Sequence, residues 1–342
     1  MPAKTIPVIA LTGYLGAGKT SLLNHVLRAP RARVGVIIND FGALNVDAGL
    51  VTGQIDEPAS IAGGCVCCLP DNGGLDEALT KLADPRLDLD AIIVETSGLA
   101  DPVAVAQLLR FSGAAGVRPG GIVDVIDATT HFDVVDRDAS PPARYAAASL
   151  IVVNKLDQLP EDDRQPMLER IEQRVRERNP VAPVVGTVGA RIDPALLYDL
   201  PGSADEQGQL SLRELLFDSV DDGHAPDHAH ADAVTVTSSG CIDPGKLLDL
   251  LEEPPSGVYR VKGTIAVRYR SAVRTYVVHL VGPAIHVATA PATATPNSLV
   301  AIGMDLDTAH VRALLDDVLE PSDGNASADA IRRLQRYRRL SF

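Results

Sequence analysis

The chain has 342 residues, of which 46% are apolar and only 4% aromatic. This length suits two domains better than one. The formal net charge of −14 argues against a general nucleic-acid binder, because such binding relies on Lys and Arg to neutralise phosphates. The sequence shows no apolar run close to the ~20 residues of a membrane-spanning helix and no signal-peptide pattern. We therefore expect a cytoplasmic protein with neither nucleic-acid nor membrane partners.

Residues 13–20 read Gly-Tyr-Leu-Gly-Ala-Gly-Lys-Thr and fit the phosphate-loop pattern G-x-x-x-x-G-K-[ST]. An apolar run precedes them and a helix-like stretch follows. Glycines let the backbone approach phosphate closely, and the start of the helix favours an anion. We expect Lys19 to reach the β- and γ-phosphates and Thr20 to bind Mg²⁺. The residues predicted here to bind nucleotide are Gly13, Leu15, Gly16, Ala17, Gly18, Lys19, Thr20 and Ser21.

The first half alternates short apolar runs with helix-like stretches. Asp101 and Pro102 suit the N-cap and first turn of one helix. This βαβ rhythm predicts an α/β fold of the P-loop NTPase type, with a doubly wound, mostly parallel sheet and the nucleotide at the carboxyl ends of the strands. The predicted strands are 6–11, 34–39, 91–95, 121–126, 150–154 and 181–186, and further helices are predicted over 74–82 and 161–178.

The pattern changes after residue 200. Residues 218–232 are acidic, lack periodicity and include His224, His228 and His230, which predicts a linker. Consecutive strands flanked by two helices then predict a smaller α+β domain with a largely antiparallel sheet. The predicted units are a nucleotide-binding domain over 1–217, the linker over 218–232, the second domain over 233–325, and a basic tail over 326–342 that forms a solvated helix.

Asn154-Lys155-Leu156-Asp157 follows an apolar strand and fits N-K-x-D. The Asp157 carboxylate only accepts hydrogen bonds, and guanine offers it two adjacent donors where adenine does not. We expect Asn154 and the stem of Lys155 to hold the loop and cover the base. The alternative is a helix-capping Asp in a polar loop.

Two other strand ends carry carboxylates. Glu95 ends a predicted strand and is followed closely by Gly98. An acid there can hold Mg²⁺ through its water shell, and the Gly98 N–H can contact the γ-phosphate. Asp40 follows the second predicted strand and is a candidate switch residue or zinc ligand. The alternatives are an ordinary strand end for Glu95 and a surface loop for Asp40.

Three of the four cysteines, Cys65, Cys67 and Cys68, lie within four residues. This spacing is too close for a disulfide framework and indicates metal or redox chemistry. Thiolates suit Zn²⁺, with Co²⁺ and Cu(I) as alternatives. Three thiolates leave the fourth position of a tetrahedral zinc site open, which suits transfer. The other interpretation is a set of buried, inert thiols.

The chain resembles the CobW-like metallochaperone GTPases. The resemblance rests on the phosphate loop, on Gly-Gly-Cys-Val-Cys-Cys at 63–68, on Glu-Thr-Ser-Gly-Leu-Ala-Asp-Pro at 95–102, and on Asn-Lys-Leu-Asp at 154–157. Residues 257–263 and 297–303 are similar to the CobW C-terminal domain.

The resemblance implies GTP binding, slow hydrolysis to GDP and phosphate, and delivery of zinc or cobalt to a client metalloprotein. Lys19, Thr20 and Glu95 then serve hydrolysis, and Cys65, Cys67 and Cys68 form the metal motif. Asp40 stands where the family usually has Glu, and the linker has fewer histidines than in many relatives.

We expect GTP·Mg²⁺ to order the segment from Asn39 onward and thereby to change the geometry of the three cysteines. No strong hydrolytic base or arginine finger is evident, so unassisted hydrolysis should be slow. Two rivals stay open: an ATP-using P-loop kinase or ligase with a structural zinc site, and a zinc-buffering module in which nucleotide is structural. Homo-oligomerisation is also open.

Overall fold

The computed structural model describes residues 5–28, 32–38, 59–60, 73–98, 100–198, 231–270, 272–290, 297–322 and 324–340. Within these ranges the chain forms one sheet of seven strands and another of five. No helix in the described ranges combines the length and apolar character needed to span a membrane.

The first sheet is parallel throughout its described pairs, with strand order β3-β2-β4-β1-β5-β6-β7. Strands β1, β2, β4 and β6 are buried along their whole length, because helices cover both faces and leave no polar side. The strands are β1 Ile6–Gly13, β2 Val34–Ile38, β3 Ala59–Ser60, β4 Ala91–Glu95, β5 Val117–Asp127, β6 Leu150–Asn154 and β7 Val184–Gly186.

One helix beside this sheet begins at the side-chain cap that the sequence predicts. Asp101 accepts a 3.0 Å hydrogen bond from the Val103 N–H, and Pro102 occupies the first turn of α3. The described helices are α1 Lys19–Val26, α2 Gly73–Leu82, α3 Pro102–Arg110, α4 His131–Val134 and α5 Glu161–Arg176. The predicted doubly wound α/β fold is therefore confirmed.

The second sheet is antiparallel, with strand order β11-β10-β9-β12-β8. Its helices pack on one face, where Val261 and Val278 meet Leu247, Leu315 and Leu334 in a common core. The elements are β8 Asp232–Ser238, α6 Pro244–Glu252, β9 Val258–Tyr269, β10 Ala272–Val281, β11 Ala284–Thr289, β12 Asn297–Gly303, α7 Thr308–Val318 and α8 Ala328–Leu340.

The two sheets touch through the amino-terminal half of β5. Tyr259 and Val281 of the second sheet are part of the first core, and the Tyr259 hydroxyl hydrogen-bonds Ser149. Gly121 has φ +107°, and a Cβ there would lie 2.8 Å from Val281 Cγ1. This contact lies at the opposite end of β5 from the phosphate loop.

Three predictions need correction. The strand predicted over 181–186 is shorter and runs from Val184 to Gly186. The strand predicted over 121–126 runs from Val117 to Asp127, because its first residues continue to pair with β1. The tail predicted as a solvated helix is instead α8, whose Ile331 and Leu334 are buried in the second core. The many arginines of α8 made its apolar stripe at helical spacing difficult to recognise in the sequence.

Candidate nucleotide-binding site

The phosphate loop joins the end of β1 to the start of α1. Gly18 caps α1 in the left-handed region, with φ 105°, and a Cβ at Gly18 would lie 2.2 Å from Asn154 Nδ2. Lys19 is buried, and its Nζ donates to the carbonyls of Gly13 (3.0 Å) and Tyr14 (3.3 Å). The ammonium group therefore already lies over the loop where a bound phosphate would accept from it. Ser21 is exposed in the first turn of α1.

Thr20 and Glu95 meet at the carboxyl edge of the sheet. Glu95 is buried at the end of β4, in register with Leu11 of β1. Its Oε1 accepts a 2.8 Å hydrogen bond from Thr20 Oγ1. The structure thus brings together two oxygen groups of the kind that Mg²⁺ prefers.

Gly98 lies against the phosphate loop. A Cβ at Gly98 would come within 2.7 Å of the Leu15 backbone nitrogen and 2.9 Å of the Leu15 Cα. Just before it, Thr96 donates from its N–H to the Leu11 carbonyl at 3.0 Å, which extends the β4–β1 pairing. No side chain other than hydrogen fits at position 98 without moving the loop.

Asn154 connects the phosphate loop to the loop after β7. Its Nδ2 donates to the Ala17 carbonyl at 2.9 Å, and its Oδ1 accepts from the Ala190 N–H at 2.8 Å. The Asn154 side chain is buried, and Ala190 has φ +59°. Ala190 was not predicted from the sequence, although Gly189-Ala190 after an apolar strand was an available signal.

Lys155 and Asp157 follow at the edge of the same site. Lys155 adopts φ +64°, and its Nζ lies 2.7 Å from Asp127 Oδ2. Burial alone would raise the pKa of Asp127, but hydrogen bonds from Lys155 and Thr129 outweigh it and hold that pKa below its usual value. Asp157 is exposed, and no hydrogen bond to its carboxylate is seen from the described part of the chain.

A buried carboxylate supports the phosphate loop from behind. Asp124 Oδ1 accepts a 2.9 Å hydrogen bond from the hydroxyl of Thr12, which immediately precedes Gly13. Arg144 binds the same carboxylate through Nη2 at 2.7 Å and Nε at 2.9 Å. This bidentate pair was missed, although an Asp inside an otherwise apolar strand was a signal for it.

A second buried network lies beside the loop. Arg174 binds Asp136 through two nitrogens, Asp136 accepts from the Tyr145 hydroxyl at 3.1 Å, and Tyr145 hydrogen-bonds His131. Burial lowers the pKa of His131 to about 4, although Asp136 opposes the shift. Burial also raises the pKa of Tyr145 above its usual value. His131 lines a narrow cleft with Tyr14 of the phosphate loop.

The predicted zinc residues Cys65, Cys67, Cys68 and Asp40 lie outside the described residues. Within the described ranges, no three His, Cys, Asp or Glu side chains are grouped so as to hold a metal ion. Cys241, the fourth cysteine of the chain, is buried.

The parallel sheet, the glycine loop closed by Lys19 and the Thr20–Glu95 contact define a P-loop nucleotide-binding protein. The family described as "CobW/HypB/UreG, nucleotide-binding domain" matches residues 7–185, more than half of the chain. The family described as "Cobalamin synthesis protein cobW C-terminal domain" matches residues 231–319. The chain therefore belongs to the CobW/HypB/UreG family.

Curated relatives agree with this membership. The zinc chaperone YjiA of Escherichia coli K12 is 29% identical over 215 residues, which are 61% of this chain and 65% of that protein. Zinc-regulated GTPase metalloprotein activator 1 of Schizosaccharomyces pombe is 32% identical over 202 residues, 55% of this chain and 47% of that protein. The chain thus spans less than two thirds of the length of both relatives.

Among solved structures, the chain is similar to Zn(II)-bound YjiA GTPase from E. coli, with a TM-score of 0.42 and 19% identity over 92% of this chain and 99% of that one.

Proposed function

We propose that this chain is a metallochaperone that binds GTP with Mg²⁺, hydrolyses the nucleotide slowly, and couples its state to the binding and delivery of zinc. The observation that carries the proposal is the 2.8 Å contact between Thr20 and Glu95 at the foot of a glycine loop already covered by Lys19. Membership of the CobW/HypB/UreG family supports the same proposed function.

The donor set suits magnesium. Thr20 and Glu95 provide hard oxygen groups, and a Cβ at Gly98 would fill space beside Leu15 in the loop. When bound, the ion neutralises charge on the β- and γ-phosphates. Lys19 exchanges its two carbonyl acceptors for phosphate oxygens, while Gly98 keeps the loop close enough for its backbone to meet the γ-phosphate.

Guanine selectivity is assigned to the N-K-x-D segment. The exposed Asp157 accepts from two adjacent donors of guanine, and adenine leaves this carboxylate unpaired. Lys155 is held by Asp127 and covers the base with its stem. Asn154 fixes the phosphate loop against the loop that carries Ala190.

Zinc is the proposed cargo, with cobalt as the alternative. The relatives named above are described as a zinc chaperone and a zinc-regulated GTPase activator. Cys65, Cys67 and Cys68 supply soft thiolate ligands, and Asp40 is proposed as a further ligand. We also propose a cytoplasmic location, transfer to a client metalloprotein, and a domain division at the linker over 218–232.

The test is GTP turnover by the reduced protein with and without Zn²⁺, for the wild type and Cys67→Ala. Cys241→Ala is the matched control, because it removes the buried thiol outside the motif. We expect zinc to change turnover in the wild type and in Cys241→Ala but not in Cys67→Ala. Equal turnover with and without zinc in all three proteins would contradict the coupling, and displacement of labelled GTP by ATP would contradict the guanine assignment.

A further inference from the structure

The second sheet carries an unusual concentration of exposed arginine for a chain with a net charge of −14. One group lies at the end of the β9–β10 hairpin, and another forms a stripe on α8 at positions i, i+4 and i+7, which share one helix face. All five residues are exposed. This arginine surface consists of Arg270, Arg274, Arg332, Arg336 and Arg339. Arg268 lies on the opposite face of the sheet, because it follows Val267, which points into the second core.

The two groups belong to the same part of the molecule. The Ala326 N–H, two residues before α8, donates to the Arg268 carbonyl at 2.8 Å. Tyr269 of the hairpin and Tyr337 of α8 both pack against the second core. Ile331 and Leu334 point into that core. The exposed arginines of α8, which are Arg332, Arg336 and Arg339, therefore face away from it.

Most of this charge is not neutralised locally. Arg332 pairs with Asp329 at 3.2 Å, and the neighbouring Arg333 is taken up by Asp249 and Glu252. The other four members of the arginine surface form no ion pair with an acid in the described ranges. Arg270 lies only over the Tyr269 ring, with its Cζ 5.3 Å from the ring centroid.

The chemistry of this surface favours carboxylates. Arginine presents a planar fork that binds carboxylate in bidentate fashion. A nucleic-acid strand would extend past the arginine surface and would be repelled by the rest of a chain whose net charge is −14. Proteins that bind single strands also need exposed aromatic faces on which the bases stack. Tyr269 and Tyr337 are half-buried rather than exposed.

We propose that the arginine surface is a docking site for a folded protein partner that presents clustered Asp and Glu side chains. The site lies on the second sheet and acts independently of nucleotide and zinc. Attraction between the two surfaces accelerates encounter and fixes orientation, and it weakens as salt screens the charges.

The test measures binding of a fluorescein-labelled peptide of alternating Glu and Ala to the full chain by anisotropy, at low and high salt. The variant Arg274→Gln/Arg336→Gln/Arg339→Gln removes three unpaired charges. The control Arg110→Gln/Arg137→Gln/Arg178→Gln removes three exposed arginines of the first domain. We expect about a tenfold loss of affinity in the first variant and less than about a twofold loss in the control.

Four outcomes would overturn the proposal. The first is no peptide binding by the wild type at low salt, and the second is an equal loss of affinity in both variants. The third is tighter binding of an oligothymidylate than of the peptide at the same surface. The fourth is a lower sedimenting mass in the first variant alone. The third would assign the surface to nucleic acid, and the fourth to a second copy of the chain. Unchanged melting temperatures in both variants establish that the losses are local.

Discussion

The hydroxyl of Thr20 lies 2.8 Å from the carboxylate of Glu95, although 75 positions separate the two residues in the chain. Parallel pairing of β1 with β4 creates this contact, since it sets Glu95 beside Leu11 at the edge where the phosphate loop begins. The residues proposed to hold Mg²⁺ are therefore brought together by the sheet itself.

Replacing Glu95 with Gln tests the role of this carboxylate. The amide keeps a hydrogen-bond acceptor for Thr20 but removes the charge near the proposed Mg²⁺, so we expect GTP turnover to fall by about 100-fold and the Mg²⁺ needed for half-maximal turnover to rise. Steady-state turnover over a magnesium titration measures both. The control Glu253→Gln, at an exposed position, should leave them unchanged. Wild-type turnover in Glu95→Gln would remove this residue from the mechanism.

Replacing Gly98 with Ala tests the close approach of Gly98 to the phosphate loop. The added Cβ would lie 2.7 Å from the Leu15 backbone nitrogen, so the loop must shift at a cost of about 1–3 kcal/mol. We expect GTP affinity to fall by roughly 5- to 150-fold, a range that corresponds to this cost. Fluorescent-nucleotide titration measures it. At Gly113 a Cβ would meet Asp76 Oδ2 at an ordinary 3.5 Å, and Gly113→Ala should bind GTP normally.

Asn154→Ala removes one side chain that satisfies two backbone groups. The Ala17 carbonyl and the Ala190 N–H would both lose their partner in a buried setting, at about 1–3 kcal/mol each. We expect the free energy of unfolding to fall by on the order of 2–4 kcal/mol and GTP affinity to fall with it. Urea unfolding measures the first effect. The exposed Gln165→Ala provides the control, and equal stability of the two variants would show that Asn154 does not hold these loops together.

The sequence predicted the parts of the site that follow local rules. The phosphate loop, Glu95, Gly98 and the N-K-x-D segment each follow an apolar strand, so strand order alone brings them to one edge. The supporting contacts of Asp124 with Arg144 and of Asn154 with Ala190 were missed, because they join side chains or loops whose proximity depends on tertiary packing. The packing of α8 was missed for a different reason, because its many arginines outweighed the apolar stripe at helical spacing.

The pH dependence of stability follows from buried neutral histidines. Burial lowers the folded-state pKa of His131 to about 4, whereas an unfolded histidine titrates near 6.5. The unfolded state therefore binds a proton first as the pH falls. The contribution of the neutral His131 ring to the free energy of unfolding is complete above pH 6.5. It is lost between about pH 6.5 and 4, at up to about 3 kcal/mol.

Burial also lowers the pKa of His286 to about 4, with Arg118 adding to the shift, so both residues act in the same window. We expect His131→Gln to reduce the loss of stability between pH 6.5 and 4, as measured by urea unfolding at each pH. The exposed His310→Gln should keep the wild-type slope. An unchanged slope in His131→Gln would mean that the pKa of this ring does not differ between the folded and unfolded states.

We propose that nucleotide and zinc each change the affinity of the protein for the other. The most direct measurement is zinc affinity of the reduced protein, obtained by competition with a chelating dye in the GTP-bound and GDP-bound states. We predict at least a roughly fivefold difference between the states, the lower end of typical allosteric coupling, and an equal reciprocal effect of zinc on nucleotide affinity. Cys67→Ala should abolish both. Identical zinc affinity in the two nucleotide states of the wild type would contradict the coupling between nucleotide and zinc.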